Sequence, residues 1–384
     1  MSRVRVSLLA DAMCDRHPRG LARYTRGLSL ALLESGAIDL ELVTHAEPAG
    51  AGWPPARCSR LTARRELVRE QVELPRLLAR GGAEVLHAPA NRGLPVWAPC
   101  PTVVTRHDTI ERTFAPEGPR SPRSHLRLLY ADAIAMRRAT AVATVSETAL
   151  RDVVRQWPGC RRRALVAGQG VEARFFAPVA SEVTERLCER YRLPRAFVLY
   201  VGGFEPRKSV STLIAAMATV GVKEAGLVLA GALGRWREPV EAALAAAGLG
   251  ARTRLLDFVD DGDLPALYAA ADCFVCPSRY EGFGLPVVEA MAAGTAAIVS
   301  DGGALPEVAG DAALVVPAGD AVALAAAIEQ VLADARVAAR LVERGRRRAE
   351  ACRWERVVPR YVALYRRLSE TAGAIPPAAQ PVPA

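Results

Sequence analysis

Short apolar runs alternate with amphipathic stretches along nearly the whole chain, and they do so in two series. That rhythm constrains the fold more than any other feature of the sequence. In the first series, residues 3–10, 40–44, 85–87, 102–105, 141–145 and 164–167 read as strands. Between them, 21–35 (ended by Gly36), 66–80, 123–138 and a segment capped by Ser146 and running to 156 read as helices. The region from 45 to 60 reads as an irregular excursion and 116–122 as a mobile loop. The second series has strands at 197–201, 227–230, 254–258, 271–276, 296–299 and 314–316. Its helices start near Ser209 and at Pro286, and cover 239–247, 263–270 and 321–333. Regular β/α alternation implies parallel sheets covered by helices on both faces. At 384 residues the chain is too long for one ordinary core. The expectation is two Rossmann-like, doubly wound domains facing each other across a cleft, spanning 1–178 and 179–354. A helix at 355–370 then packs back on the first, and a disordered Pro/Ala tail occupies 371–384.

The formal charge of +9 permits an anionic ligand or an acidic membrane surface. Nucleic acid is not the expected partner, because the runs 161–163 and 346–348 are short and lack interleaved aromatics. Lys208 and Lys223 are the two lysines among 50 basic residues. Eight cysteines are scattered, with no secretory signal ahead of them, since the apolar run 4–10 is too short for one. Cys273 and Cys276 spell C-x-x-C, but within one strand residues three apart face opposite sides, so they read as core residues rather than zinc ligands. No apolar stretch reaches the roughly 20 residues that span a bilayer. A cytoplasmic, thiol-reduced protein is expected, with peripheral contact at the inner membrane face open to it.

Two stretches carry the chemistry. Residues 280–294, YEGFGLPVVEAMAAG, follow a buried strand. They place Glu281 at the strand exit and Glu289 in the first turn of a helix, with Gly282 and Gly284 allowing backbone to approach a ligand. Residues 202–208, GGFEPRK, stand between a strand and a helix, where parallel sheets gather ligands. There Arg207 supplies a planar fork and Lys208 a point charge, beside a helix N-terminus, as a diphosphate requires. His107 ends a strand of the first half, and Asp108 either fixes its imidazole or caps the next turn.

With these motifs in order, the chain resembles the family-4 retaining glycosyltransferases of the GT-B fold, closest to their mannosyltransferase-like branch. The resemblance runs from about Val4 to Leu368 and is carried by six pieces. They are GLARY ending at Tyr24, His107-Asp108, TVSE at 144–147, GFEPRK ending at Lys208, EGFGLPVVE from Glu281 to Glu289, and LPEVAGDA at 305–312. It implies that Arg207 and Lys208 hold the donor diphosphate, that Glu289 binds ribose hydroxyls, and that Glu281 holds the donor sugar with the Phe283, Gly284 and Leu285 backbone. His107 would act near the sugar, and Gly20, Gly203 and Val259 would complete the donor site. The first half would then take the acceptor and the second the nucleotide sugar. No metal or other cofactor is implied. The donor would be a GDP- or UDP-sugar, with mannose first, and the acceptor a glycan, a lipid-linked sugar or a small molecule. Departures lie at Arg106, Thr109 and Glu111 around His107, and at Gln169, where an asparagine is usual.

Other readings remain at this stage. A nucleotide-sugar epimerase of the same architecture would need acid/base carboxylates in the first half, and no pair stands out there. A glycan phosphorylase would need a well-placed Schiff-base lysine. A non-catalytic nucleotide-binding protein would not need all five polar groups.

Overall fold

The chain forms two α/β units, residues Met1–Gly170 with Trp354–Ala384, and Val171–Arg353. A computed structural model describes residues 3–14, 20–46, 53–114, 122–222 and 224–370. Most of the loop expected at 116–122 and the whole tail beyond 370 lie outside these residues.

The first unit has seven strands: β1 (Val4–Leu9), β2 (Ile38–Thr44), β3 (Arg57–Arg60), β4 (Val85–Ala88), β5 (Thr102–Arg106), β6 (Ala141–Thr144) and β7 (Ala164–Val166). They form one parallel sheet in the order β3-β2-β1-β4-β5-β6-β7. The second has six: β8 (Ala196–Val201), β9 (Ala225–Ala230), β10 (Thr253–Leu256), β11 (Cys273–Cys276), β12 (Ala297–Ser300) and β13 (Ala313–Val316). These are also parallel, in the order β10-β9-β8-β11-β12-β13. Both sheets are Rossmann-like, and in each the strand order reverses between two central neighbours, β1 and β4, or β8 and β11. Ligands of such sheets bind beyond the carboxyl ends of those strands.

The central strands are buried on both faces, which is why they read as unbroken apolar runs. In β11, Cys276 packs into the core on one face and Cys273 into the core on the other. Burial pushes the Cys276 thiol up to about 11 and that of Cys273 higher still, against the thiolate a metal would need.

Several elements depart from the expected pattern. The excursion at 45–60 ends in β3, an exposed and polar edge strand paired with Glu41–Thr44, so its sequence carries no apolar alternation. The helix at 66–80 is interrupted: Arg69–Glu73 widens into a π-turn just ahead of Pro75, whose missing N–H and ring disfavour the regular ladder. Two helices of more than ten residues were not anticipated, besides the short turns Ile110–Thr113 and Leu305–Ala309. Ser181–Tyr191 buries only Leu187, and Ala335–Glu350 buries a narrow stripe of Val337, Leu341, Gly345 and Ala349. Neither offers a broad apolar face to a periodicity argument. The unit boundary falls after Gly170 rather than at 178, because Val171 N–H donates to Cys352 O (2.7 Å) and Phe175 joins the second unit's core.

The C-terminal helix Trp354–Glu370 packs on the helix Gly20–Ser35 and on β1 and β4. The Trp354 indole fills a slot between two glycines. A Cβ on Gly27 would lie 2.3 Å from its Nε1, and one on Gly170 2.1 Å from its Cδ2.

Candidate functional site

The loops leaving β8 and β11 meet at the switch point of the second sheet. After β8 the chain passes Gly202 and Gly203, makes a 3₁₀ turn over Pro206–Lys208, and enters the helix Val210–Thr219 through Ser209. Ser209 is held at φ 54°, ψ 34°, a left-handed conformation costing a non-glycine residue about 1 kcal/mol or more. Arg207 and Lys208 therefore belong to a separate turn just ahead of the helix, which begins at Val210. Arg279 N–H donates to Arg207 O (2.7 Å), which locks the two loops together.

Glu281 sits at the centre. Lys208 Nζ donates to its Oε1 at 2.6 Å, Ser278 Oγ donates to the same oxygen at 2.7 Å, and Arg207 Nη1 stands 3.9 Å from Oε2. The three charged side chains are only 13–16% exposed. Burial pushes the Glu281 carboxyl up, but Lys208, Arg207 and the two hydrogen bonds outweigh it and hold the group below the ordinary value. The result is an ionised carboxylate with two cations, a cluster of net positive charge suited to an anionic ligand.

Two glycines missed by the sequence reading make this possible. A Cβ on Gly302 would lie 2.1 Å from Ser278 O, and Gly303 (φ 64°) pairs with Glu281. Ala304 N–H donates to Glu281 O at 2.9 Å, so the loop after β12 clamps the backbone that carries Glu281. The Gly-Gly pair at a strand exit was the available signal.

Glu289 lies elsewhere than expected. The helix runs Leu285–Ala293 from Gly284 at φ 94°, so Glu289 stands beyond the first turn, 1% exposed, accepting from Tyr268 Oη at 3.1 Å. A helix-dipole account of this glutamate therefore fails, and its burial calls for a specific polar role. Phe283 and Leu285 pack partly against the core, and Val259 is a core side chain, so Val259 has only backbone to offer a ligand. Gly203 stands beside Glu205, where a Cβ would lie 2.2 Å from its Oε2.

In the first unit, His107 follows β5 and is buried. Its Nε2–H donates to Pro89 O (2.8 Å), its backbone N–H to Asn91 Oδ1 (2.8 Å), and its ring meets Tyr24 edge-on at 4.5 Å. Burial lowers its pKa below the ordinary 6.5. Asp108 caps the following turn, accepting from Ile110 N–H at 3.1 Å, so Pro89 and Tyr24 fix the imidazole instead. Arg106 turns into the interior, pairing with Asp132 at 2.9 Å over the Trp157 ring. Thr109 bonds Thr113, and Gln169 is buried in the loop next to Trp354. Gly20 opens the helix Gly20–Ser35 in open space. Among the described residues no three His, Cys, Asp or Glu side chains gather as metal ligands, and no helix is long and apolar enough to cross a membrane.

Residues 189–348 match the family model described as "Glycosyl transferases group 1". The chain is 33% identical over 235 residues to O-antigen chain mannosyltransferase B of Escherichia coli, covering 60% of this chain and 61% of that one. It is 31% identical over 229 residues to phosphatidyl-myo-inositol mannosyltransferase of Mycolicibacterium smegmatis, covering 59% and 58%. The matched part thus spans about three-fifths of these relatives. Sucrose-phosphate synthase from Thermosynechococcus elongatus superposes with a TM-score of 0.78 at 26% identity, covering 96% of this chain and 100% of that chain. Anabaena HepE in complex with UDP and glucose gives 0.76 at 17% identity over 95% and 100%, a likeness of fold alone.

Proposed function

We propose that this chain belongs to the group 1 glycosyl transferases and, with its GT-B fold, is a retaining, nucleotide-sugar-dependent glycosyltransferase. The observation that carries the reading is the cluster of Lys208, Arg207 and Glu281 at the sheet's switch point. Lys208 and Arg207 hold the donor's diphosphate and take up charge as it leaves. Glu281 positions Lys208 through Oε1, leaving lone pairs on Oε2 for a sugar hydroxyl. The buried Glu289 binds the ribose diol. In the reaction an acceptor hydroxyl oxygen bonds to the anomeric carbon on the face from which the diphosphate departs. The anomeric C–O bond breaks, and the acceptor's proton passes to a departing phosphate oxygen.

The mannosyltransferase names of the relatives make GDP-mannose the first donor to try, followed by UDP-hexoses and UDP-amino sugars. The acceptor is a glycan, lipid-linked or small-molecule hydroxyl. Peripheral contact with an anionic membrane belongs to the same reading. Arg57, Arg60, Arg76 and Arg80 outnumber Glu41 and Glu73 around a groove of about 770 Å³ that Val68 and Val72 also line, and Leu67, next to Val68 in sequence, is exposed. Sedimentation with phosphatidylglycerol vesicles but not with phosphatidylcholine vesicles is expected; equal binding to both removes this part.

The deciding experiment is proton NMR of the fresh product. An anomeric configuration retained from the donor supports the proposal, and an inverted linkage overturns it. Incubation with labelled nucleotide sugars alone separates the alternatives: slow hydrolysis marks a transferase and isomerised sugar an epimerase.

A further inference from the structure

The Tyr24 ring that meets His107 is held by a hydrogen-bond chain whose polarity the structure determines. Tyr361 Oη lies 3.0 Å from Gly168 O, a carbonyl that can only accept, so Tyr361 donates there. Its oxygen therefore accepts from Tyr24 Oη, 2.6 Å away. Tyr24, having spent its proton, accepts from Thr105 Oγ1 at 3.2 Å. Thr105 in turn accepts from His87 Nε2–H at 2.8 Å. His87 Nδ1 is then the acceptor for Tyr365 Oη at 2.7 Å. Five bonds run in one direction, from Tyr365 through His87, Thr105, Tyr24 and Tyr361 to Gly168.

Burial keeps every group in the state this requires. It pushes the Tyr24 hydroxyl up to about 12, with Tyr361 and Tyr365 higher, and pulls His87 down to about 3. Reversing any link would leave a buried donor or acceptor unpaired. The chain joins β4, β5, the helix Gly20–Ser35 and the C-terminal helix, and its middle member Tyr24 presses edge-on against the His107 ring. That contact, with the Pro89 carbonyl, leaves the imidazole one orientation, with Nε2 protonated and Nδ1 as the acceptor.

We infer that Tyr361 is a positioning residue: acting through Tyr24, it holds His107 in a single orientation and tautomer from the C-terminal helix. Tyr361 does not itself touch His107. The inference deepens the proposed function, because it rests on His107 acting in transfer.

The test is Tyr361→Phe, which keeps the ring and removes the hydroxyl, studied with ¹⁵N-histidine labelling. The native protein is expected to show His107 as one Nε2–H tautomer, and the variant an average of two. Alongside, kcat should fall about tenfold, while GDP and UDP affinity and the KM for donor stay within twofold. An unchanged His107 signal in the folded variant overturns the inference. A tautomer change with unchanged kcat upholds the positioning and instead removes His107 from transfer. If Tyr361→Phe does not fold, Tyr24→Phe removes the hydroxyl through which the chain fixes the ring against His107, frees that ring to turn, and gives the same readout.

Discussion

Replacing Lys208 by alanine is the sharpest probe of the charged cluster, because Lys208 serves two partners of opposite meaning. It neutralises Glu281 at 2.6 Å, and in the proposed complex it faces the donor's diphosphate. Truncating one member of a desolvated, hydrogen-bonded charge pair costs about 2–5 kcal/mol. The lower half of that range applies here. Arg207 remains 3.9 Å from Glu281, and the cluster retains 13–16% exposure, which admits some water. Nucleoside diphosphate affinity should therefore fall about 30- to 300-fold, at 1.4 kcal/mol per factor of ten. The melting temperature should fall as well, since Glu281 keeps only its weaker cation. Glu281→Gln separates the two roles. It removes the counter-charge and leaves both cations, so diphosphate should bind at least as tightly as before while transfer collapses. Calorimetry with GDP and UDP on both variants decides the matter. Unchanged affinity in Lys208→Ala, or a matching loss in Glu281→Gln, would refute the reasoning.

Three further outcomes are expected. His107→Ala and His107→Gln should lower turnover at least tenfold and leave diphosphate binding intact, because His107 belongs to the first unit and the charged cluster to the second; normal turnover in both would make His107 structural. Transfer should persist in EDTA, the two cations doing what a divalent ion does in other phosphate sites, and loss of activity restored by magnesium or manganese would count against this. Acid should destabilise the protein from pH 6.5 downward. His87 binds its proton in the unfolded chain at an ordinary 6.5 but in the fold only at about 3, so stability falls across that window by up to about 1.4 kcal/mol per pH unit. Glu281, held below its ordinary value, adds a loss only below about 4.5. Urea melts between pH 6.5 and 5 should lose about one proton of dependence in His87→Gln, and an identical slope would contradict the assignment.

Both sheets were legible because parallel strands buried on two faces leave unbroken apolar runs, and because each loop that bears chemistry follows such a run. Glu281, Arg207 and Lys208 could be paired on those grounds. What stayed hidden had no local signature. The edge strand Arg57–Arg60 is polar because one of its sides is solvent. Glu289 falls one residue further along its helix than expected, just past the first turn, because Leu285, not Pro286, opens the helix. Tyr24, His87, Tyr361 and Tyr365 are ordinary aromatic residues in sequence, separated by up to 341 positions, and only folding reveals them as one line of hydrogen bonds.

The indole of Trp354, wedged between Gly27 and Gly170, has a consequence for biosynthesis. The helix that closes the first unit leaves the ribosome only after every residue of the second. Chains emerge at roughly 5–20 residues per second, so the first unit waits roughly 10–40 s for its final piece. During that interval Gly27 and Gly170 flank an unfilled slot, and Tyr24 lacks its acceptor. The second unit, whose sequence is contiguous, can mature in the meantime. Nascent chains arrested before residue 354 should therefore carry a protease-resistant second half attached to a digestible first half.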